Sequence, residues 1–228
     1  PGTAAEILDD EVRKSLCPDK INTSQWLEVM KTAHQVGFKT TATIMYGHVE
    51  TPIHWANHLT EVRNLQLQTG GFTEFVPLPY VPMEAPMYLK GKSRRGPSFR
   101  EAILMHSVSR IAFKGLINNV QTSWVKMGQE GVQACLNAGA NDIGGTLMNE
   151  SITRAAGADH GQEWHPQGIE ETIISMGRKP KMRTTSYDEA PQSRRELAFR
   201  ASTLTQIENT AAAKLQRSKK LDNIAQVL

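Results

Sequence analysis

Strand-like and helix-like segments alternate along residues 38–161, and this alternation limits the fold more than any other feature of the chain. Short runs rich in apolar and β-branched residues predict strands, and apolar residues at helical spacing predict helices. Neighbouring parallel strands need crossover helices between them, so the pattern predicts a parallel sheet in an α/β fold. The predicted strands are 38–46, 72–78, 116–121 and 142–147, and the predicted helices are 26–34, 52–68, 98–113, 129–137 and 166–176.

Four such units make only half of a closed barrel, because a (βα)8 barrel typically needs about 250 residues. The pattern weakens after Gly161, where 184–195 is predicted as loop and 195–228 is basic and poor in aromatic residues, as in a solvated helix or disorder. We therefore predict the C-terminal half of a (βα)8 barrel, strands five to eight, over residues 1–161. A basic, helical or partly disordered extension is predicted over residues 162–228.

The start of the chain agrees with half a barrel. The first residue is Pro1 rather than an initiator methionine, so we expect the chain to be processed or to begin inside a longer protein. Residues 1–8 are then predicted to be the loop and short helix that follow a missing fourth strand.

Composition excludes several other classes of protein. The net charge of +3 comes largely from basic residues between Arg178 and Lys220, so the body has no nucleic-acid-binding surface. Cys17 and Cys135 are far apart, which is typical of a reduced compartment, and we expect a cytoplasmic protein. No apolar run reaches the roughly 18 residues that a membrane span needs, and no signal peptide is recognisable.

Polar and aromatic residues gather where the predicted strands end. The carboxyl ends of the strands form the ligand-binding rim in α/β barrels, so four consecutive clusters predict one shared site. The alternative is that these loops are simply polar. The clusters are Tyr46, Gly47, His48 and Glu50; Glu74, Pro77 and Tyr80; Asn118, Asn119, Gln121, Ser123, Trp124 and Lys126; and Thr146, Asn149 and Glu150.

Residues 141–157 combine polar groups, a glycine pair and a helix start. A glycine pair lets another group approach the backbone closely, and a polar residue before a helix caps its first turn. These features suit either a substrate-binding loop or an ordinary strand, turn and capped helix. The residues concerned are Asn141, Asp142, Gly144 and Gly145, the caps Asn149 or Ser151, and Glu150 and Arg154 on the predicted helix.

Five segments, in the same order, resemble the radical S-adenosylmethionine enzymes that build deazaflavin and menaquinone precursors. The resemblance covers residues 1–161 and is best to the tyrosine-using, CofH-type part of FO synthase. Relatives in the menaquinone (futalosine) pathway share the Gly-His-Val-Glu and Ser-Trp-Val patterns, whereas 72–78 and 145–150 look like the deazaflavin branch. The segments are Pro1–Leu8, Tyr46–Glu50, Thr69–Leu78, Gln121–Lys126 and Asn141–Gly157.

The resemblance implies that the complete protein is an enzyme joining the hydroxybenzyl group of L-tyrosine to 5-amino-6-(D-ribitylamino)uracil. It also implies a 4Fe-4S cluster that reduces S-adenosylmethionine to a 5′-deoxyadenosyl radical and is held by three cysteines in a Cys-x3-Cys-x2-Cys loop. Cys17 and Cys135 cannot replace that loop, so we expect no metal ligand in this chain and cluster ligands outside it. The chain alone is expected not to reduce S-adenosylmethionine.

Residues 43–50 resemble the fifth-strand motif that supports the adenosine end of S-adenosylmethionine in this family. The resemblance implies cofactor-binding roles for Tyr46, Gly47 and Glu50, with Glu50 fixing the turn before the next helix. His48 is either a proton carrier, and so a catalytic candidate, or a residue that hydrogen-bonds a strand end.

The implied substrates need several kinds of binding group. Lys126 and Arg154 are candidate ligands of the tyrosine carboxylate, and Glu74 and Glu150 are candidate ligands of its amine. Glu74 is also a catalytic candidate. Each could instead be a capping or ion-pair residue, and Arg154, inside the predicted helix, suits a structural ion pair. Candidate partners of the ribityl chain and the uracil are Asn118, Gln121, Ser123, Asn141 and Asp142, with Thr146 on the same rim.

A long loop over 79–97, rich in proline and basic residues, follows the second strand. Loops longer than about 15 residues at an active rim are more often lids or partner surfaces than filler. Two further classes stay open. The chain could be a non-catalytic or split subunit that pairs with a missing N-terminal half or a companion CofG-type module of FO synthase, or it could be a small-molecule binding module. No nucleic-acid or membrane partner is expected.

Overall fold

A short parallel sheet organises the protein, whose computed structural model describes residues 4–147 and 150–204. Within these residues three parallel strands pair in the order β1-β2-β3. They are β1 (Thr40–Tyr46), β2 (Phe72–Pro79) and β3 (Asn119–Val120). The protein therefore has the mixed α/β fold with parallel strands that the alternation predicts.

Helices precede, connect and follow the strands, and those between consecutive strands are the expected crossovers. In chain order the helices are α1 (Asp10–Leu16), α2 (Thr23–Gln35), α3 (Pro52–Thr69), α4 (Pro86–Leu89), α5 (Phe99–Ala112), α6 (Trp124–Asn137), α7 (Ile152–Ala155), α8 (Pro166–Ser175) and α9 (Gln192–Arg200).

The boundaries of the crossover helices agree with their sequence signals. α3 has Pro52 in its first turn and ends at Gly70, whose φ of 60° is left-handed. α5 begins after Ser98, which takes part in a capping box. α6 starts before the predicted position 129, but Gly128, with a φ of 65°, kinks it, so the prediction describes the part after the kink.

The prediction of a fourth strand over 142–147 is wrong. Among the described residues this segment adds to the sheet only a single bridge, between Gln121 and Asp142. Gly144 has a φ of 85° and Leu147 a φ of 50°, and left-handed residues interrupt extended backbone. The predicted third strand also shortens, to the two residues of β3. Loop contacts rather than a strand ladder therefore hold 142–147.

The predicted helix after residue 150 is reduced to the single turn of α7. Glu150 precedes this turn instead of lying on it, and Ser151 occupies the cap position without a side-chain capping bond. Asn149, the other predicted cap, lies outside the described residues. Arg154 is on α7, as predicted.

The ends of the chain also differ from expectation. The short helix predicted within residues 1–8 forms later, as α1. α8 confirms the predicted helix 166–176, whereas α9 begins inside the predicted loop 184–195. The prediction for the last part of the extension falls on residues 205–228, which lie outside the described ranges.

Two hydrophobic clusters hold the helices on the sheet. The larger includes the fully buried side chains of Ile44, Phe75 and Phe113, and joins β1 and β2 to the helices around them. The smaller joins α6 to α8 around Val132 and Cys135. Side chains alternate along a strand, so the residues next to Ile44 and Phe75 face the other side of the sheet. None of the described helices is long and apolar enough to cross a membrane.

Candidate functional site

A buried carboxylate fixes the turn between β1 and α3. Glu50 accepts hydrogen bonds from the backbone N–H groups of Gly47 and His48, the latter at 2.8 Å, and from Trp55 Nε1 at 2.9 Å. Burial opposes the negative charge, but bonds from His48, Gly47 and Trp55 outweigh it and hold the pKa of Glu50 well below its usual range. Glu50 is therefore an ionised residue that holds the turn together.

His48 and Tyr46, in the same turn, also contact other residues of the chain. His48 Nε2 donates to the Met45 carbonyl oxygen at 2.9 Å, at the end of β1, and Nδ1 lies 3.0 Å from the Glu50 carboxylate. Tyr46 is fully buried on the helix-facing side, edge-on to Trp55. The structure thus places His48 against a strand end and Tyr46 in the core.

Gly47 is required by a neighbour in the same chain. Its φ is 98°, and a Cβ at this position would lie 2.1 Å from Pro97 Cδ. The group that approaches the backbone of Gly47 closely is therefore the end of the 79–97 loop.

The 79–97 loop is attached to the turn through Arg94. Its backbone N–H donates to the His48 carbonyl oxygen at 2.9 Å, and its guanidinium lies 2.7 Å from Glu101 and 3.4 Å from Glu50. Arg94 thus connects the turn after β1 to the first turn of α5.

A cleft of about 330 Å3 opens between the 79–97 loop, the start of α6 and residues 157–160. Lys126 is one of its lining residues, and no hydrogen bond or ion pair joins its ammonium group to any residue within 4–147 or 150–204. Burial lowers the pKa of Lys126, and the negative charges of Glu150 and Glu6 only partly oppose this effect. The other polar lining residues are Tyr80, Arg95, Asp159 and His160.

Glu150 is also incompletely paired. Its Oε1 accepts the backbone N–H of Thr153 at 2.9 Å, but its buried Oε2 has no hydrogen-bond partner among the described residues. The Nε of Arg154 donates to the Glu150 backbone carbonyl at 2.6 Å. Arg154 therefore supports the backbone before α7.

A second group of charges, which we call the tail cluster, consists of Glu74, Gln121, Asp142, Arg183 and Tyr187. Arg183 Nε lies 2.5 Å from Asp142 Oδ2, and its Nη2 lies 3.5 Å from Glu74 Oε2. The Tyr187 hydroxyl and the Gln121 amide donate to the same Glu74 oxygen, at 2.6 and 2.9 Å. Both carboxylates are thus held by residues of the chain itself.

The tail cluster lies near the amino ends of the strands. Glu74 is the third residue of β2, and its other oxygen accepts from Thr41, the second residue of β1, at 2.7 Å. The prediction that Glu74 belongs to the carboxyl-end rim is therefore wrong, because β2 runs on to Pro79 beyond it. Asp142 Oδ1 accepts the Gly144 N–H at 2.6 Å, so the cluster also holds the glycine loop.

The remaining predicted residues mostly serve the backbone. Asn141 Oδ1 accepts from the Val120 N–H at 2.9 Å and from Arg110 at 2.6 Å, and Asn118 contributes its carbonyl oxygen to the same network. Ser123 stands at the cap position of α6 without a side-chain capping bond. The carbonyl oxygen of Thr146 accepts from the N–H of Trp164.

Iron–sulfur ligands are not found in the part of the chain that the structure describes. Cys17 and Cys135 are both buried, and burial raises the pKa of each thiol, that of Cys135 to about 11. No group of three or more His, Cys, Asp or Glu side chains within these residues is arranged to hold a metal ion. The residues present do not fit a 4Fe-4S cluster, which needs several converging thiolates.

Three residues that the sequence reasoning did not select are prominent in the structure: Arg94, Arg183 and Tyr187. Arg183 and Tyr187 belong to the extension, to which the sequence alone assigned no function. Tyr187 and Glu74 are 113 residues apart in the chain, so no local pattern could pair them. The positive charge of Arg183 in a polar loop was the only available signal.

Comparison with known proteins places the chain in one family. Residues 69–197 match the model of the CofH/MqnC C-terminal region, so the family likeness continues beyond residue 161 and includes most of the tail. The chain is 52% identical over 187 residues, or 82% of its length, to 5-amino-6-(D-ribitylamino)uracil–L-tyrosine 4-hydroxyphenyl transferase of Methanocaldococcus jannaschii, and this match covers 52% of that protein. It is 49% identical over 188 residues to the protein of the same name from Methanococcus maripaludis, again covering 52% of it.

A third relative is longer. The chain is 51% identical over 187 residues to FO synthase of Mycobacterium leprae, and covers 22% of that protein. The chain thus spans about half the length of the two methanogen relatives and about a fifth of the length of the mycobacterial one. Because the family model matches more than half of the chain, the chain belongs to the CofH/MqnC family and corresponds to its C-terminal region.

Proposed function

We propose that the chain is the substrate-holding C-terminal half of a radical S-adenosylmethionine transferase. The complete protein would join the hydroxybenzyl group of L-tyrosine to 5-amino-6-(D-ribitylamino)uracil in deazaflavin biosynthesis. The observation that supports this most strongly is the 52% identity, across 82% of the chain, to a protein named for that reaction. The cleft at Lys126, on the carboxyl side of the sheet, is where such an α/β fold binds ligands.

The proposed architecture is half of a (βα)8 barrel. β1, β2, β3 and the segment 142–147 would correspond to strands five to eight, in agreement with the parallel order β1-β2-β3 and the bridge between Gln121 and Asp142. The described tail belongs with this half rather than apart from it, because the tail cluster attaches it to β2. The boundary proposed at residue 161 therefore marks a change of pattern within one folded unit.

The cofactors of the complete protein are also part of the proposal. The described residues do not fit a 4Fe-4S cluster, so its ligands would lie outside this chain. The turn at Gly47–Glu50 is the proposed support for S-adenosylmethionine, and the chain contributes there an ionised, rigid carboxylate at Glu50. What the residues of this chain do is hold and orient substrates and exclude water from them.

Two other functions are tested by the same experiments. The family model covers both the CofH and MqnC types, so a menaquinone (futalosine) enzyme is the alternative within the family. The relatives described above are named for the tyrosine transferase or FO synthase, which favours the deazaflavin reaction. The second alternative is a non-catalytic or split subunit, which would work with an N-terminal half or a CofG-type module on a separate chain.

The test is product formation under anaerobic conditions. The chain is fused to the N-terminal half of the M. jannaschii relative, reconstituted with iron and sulfide, and supplied with S-adenosylmethionine, a reductant and both substrates. We expect the coupled tyrosine–uracil product by mass spectrometry from the fusion, and none from the 228-residue chain alone. Turnover by the chain alone, or a futalosine-type product from the fusion, would contradict the proposal.

The genomic sequence upstream of Pro1 separates the subunit arrangements. A Cys-x3-Cys-x2-Cys motif in the same reading frame identifies part of one enzyme, and the motif on a separate neighbouring gene identifies a split enzyme. Its absence from both would favour a small-molecule binding module.

A further inference from the structure

Two opposite charges at the carboxyl side of the sheet keep unused bonding capacity among the described residues. The Lys126 ammonium makes no hydrogen bond or ion pair, and Glu150 Oε2 accepts no hydrogen bond, within residues 4–147 and 150–204. The two opposite charges attract each other, but the two side chains lie too far apart to form an ion pair. A half-buried charge with no partner is costly, so such a group usually meets a ligand.

The other candidates for binding the amino acid are already engaged. Both carboxylates of the tail cluster are bound by Arg183, and Glu74 also by Tyr187. The Nε of Arg154 supports the Glu150 carbonyl oxygen. Of the four charged side chains that suit an amino acid's carboxylate or amine, the structure leaves Lys126 and Glu150 with unused bonding capacity.

We propose that Lys126 and Glu150 bind the zwitterionic head of a free α-amino acid, Lys126 taking the carboxylate and Glu150 the ammonium group. This assignment rests on the proposed function, which makes L-tyrosine the amino acid. An α-amino acid carries its two charges on adjacent atoms, and it bridges a cation and an anion that are near each other but not in contact.

The cleft beside Lys126 suits the rest of such a molecule. Its lining includes the apolar side chains of Pro82, Met83 and Met127 and the ring of Tyr80. Its volume of about 330 Å3 lies at the lower end of the range for small-molecule sites. Apolar walls next to the half-buried cation of Lys126 match an aromatic amino acid better than a polyol.

The test measures the chemical reactivity of Lys126 in the 228-residue chain. Lysines are labelled with limiting acetic anhydride and quantified by mass spectrometry, with L-tyrosine, tyramine (which lacks the carboxylate) or 3-(4-hydroxyphenyl)propanoate (which lacks the amine) as probes. We expect L-tyrosine to slow labelling of Lys126 at least fivefold and tyramine to slow it less than twofold. The amines of L-tyrosine and tyramine also consume acetic anhydride, so labelling of Lys126 is expressed relative to that of exposed Lys114, the internal control in the same sample.

Variants separate the two halves of the head group. Glu150→Gln keeps an acceptor for the Thr153 N–H, so this variant should fold. In it, L-tyrosine should protect Lys126 from acetylation only as much as 3-(4-hydroxyphenyl)propanoate does. The assignment would be overturned if L-tyrosine and tyramine protected Lys126 from acetylation equally, or if saturating L-tyrosine gave no protection. Circular dichroism of each variant checks folding. Lys126→Arg and Lys126→Ala lack the labelled amine, so their binding of L-tyrosine is measured by isothermal titration calorimetry, and Lys126→Arg should retain part of the binding that Lys126→Ala loses.

Activity of the fusion distinguishes failure of this assignment from failure of the proposed function. If the fusion forms product and Lys126→Ala leaves KM for L-tyrosine unchanged, the assignment is wrong and the function stands. If the fusion forms no product while carboxylate-dependent protection of Lys126 persists, the function is wrong and the amino-acid site stands. A rise of tenfold or more in KM for Lys126→Ala supports both.

Discussion

The charged side chains at the two ends of the sheet differ in how far hydrogen bonds and ion pairs occupy them. At the amino ends, the tail cluster joins Glu74 and Asp142 to Arg183, and their oxygens accept several hydrogen bonds at once. At the carboxyl ends, Lys126 and Glu150 keep unused bonding capacity among the described residues. The difference supports the proposal that the amino-end charges stabilise the fold, whereas Lys126 and Glu150 bind a ligand.

Glu50 refines this comparison because it lies at the carboxyl end but is fully engaged. It is a structural carboxylate beside the cleft, in the turn on which the 79–97 loop rests. A structural charge thus differs from one proposed to bind a ligand in the hydrogen bonds and ion pairs that it makes with neighbouring residues, and not in its position in the sheet.

The largest effect is expected from Glu50→Gln. The substitution removes the charge that accepts from two backbone N–H groups and Trp55, and it leaves at least one buried donor poorly paired. We expect the free energy of unfolding to fall by about 3 kcal/mol. Urea titration measures this; the exposed Glu130→Gln is the matched control and should stay within about 0.5 kcal/mol. A loss no larger than that of the control would contradict the structural role of Glu50.

Arg183→Leu should have the next largest effect. It leaves the carboxylates of Asp142 and Glu74 without their counter-charge, although Glu74 is part-exposed and water screens part of the loss. We expect a fall of about 2 kcal/mol in the free energy of unfolding. The control is Arg178→Leu, whose single bond to Asn137 is long at 3.3 Å. Hydrogen exchange should also rise in 142–147, and unchanged exchange there would argue against the tail cluster holding that loop.

Lowering the pH should reduce the free energy of unfolding, because Glu50 becomes protonated. Because its folded pKa is held below its unfolded value near 4.5, its stabilising contribution is complete above that value and is lost as the pH falls below it. The wild-type chain should therefore lose stability more steeply than Glu50→Gln between about pH 4.5 and 2. Urea midpoints measured across this range test the prediction, and parallel curves for the two proteins would refute it.

The smallest effect, of opposite sign, is expected from Lys126→Met. Removing a half-buried charge that is unpaired among residues 4–147 and 150–204 should raise the free energy of unfolding by about 0.5–1 kcal/mol, while the proposed binding of the amino acid is lost. Thermal unfolding in the absence of ligand measures the gain. If the variant were destabilised as much as Arg183→Leu, Lys126 would be a structural residue and the contrast between the two ends would fail.

Local sequence was sufficient where local forces decide the structure. Pro52 and Gly70 set the ends of α3, and the apolar runs around Ile44 and Phe75 became β1 and β2. It was insufficient at 142–147, where apolar residues predicted a strand but left-handed backbone at Gly144 and Leu147 prevents one. Backbone φ angles of this kind depend on contacts that the pattern of residue types does not contain.

The candidate site, too, was predictable only in part from the sequence. The sequence pattern predicted both Lys126 and Glu74 near the carboxyl ends of strands, and it could not tell them apart. Tyr187 and Arg183 reach Glu74 from a distant part of the chain and occupy its oxygens, while nothing in the described residues reaches Lys126.

Sequence alone therefore determined the family, the parallel α/β pattern and the set of charged residues worth testing. The family and the choice of charged residues follow from the resemblance of particular segments to known proteins, whereas the α/β pattern follows from residue types and short-range periodicity, which are present in the chain before it folds. Only the tertiary structure decided which charges are engaged, because pairing depends on which distant side chains meet and on how much water remains around them.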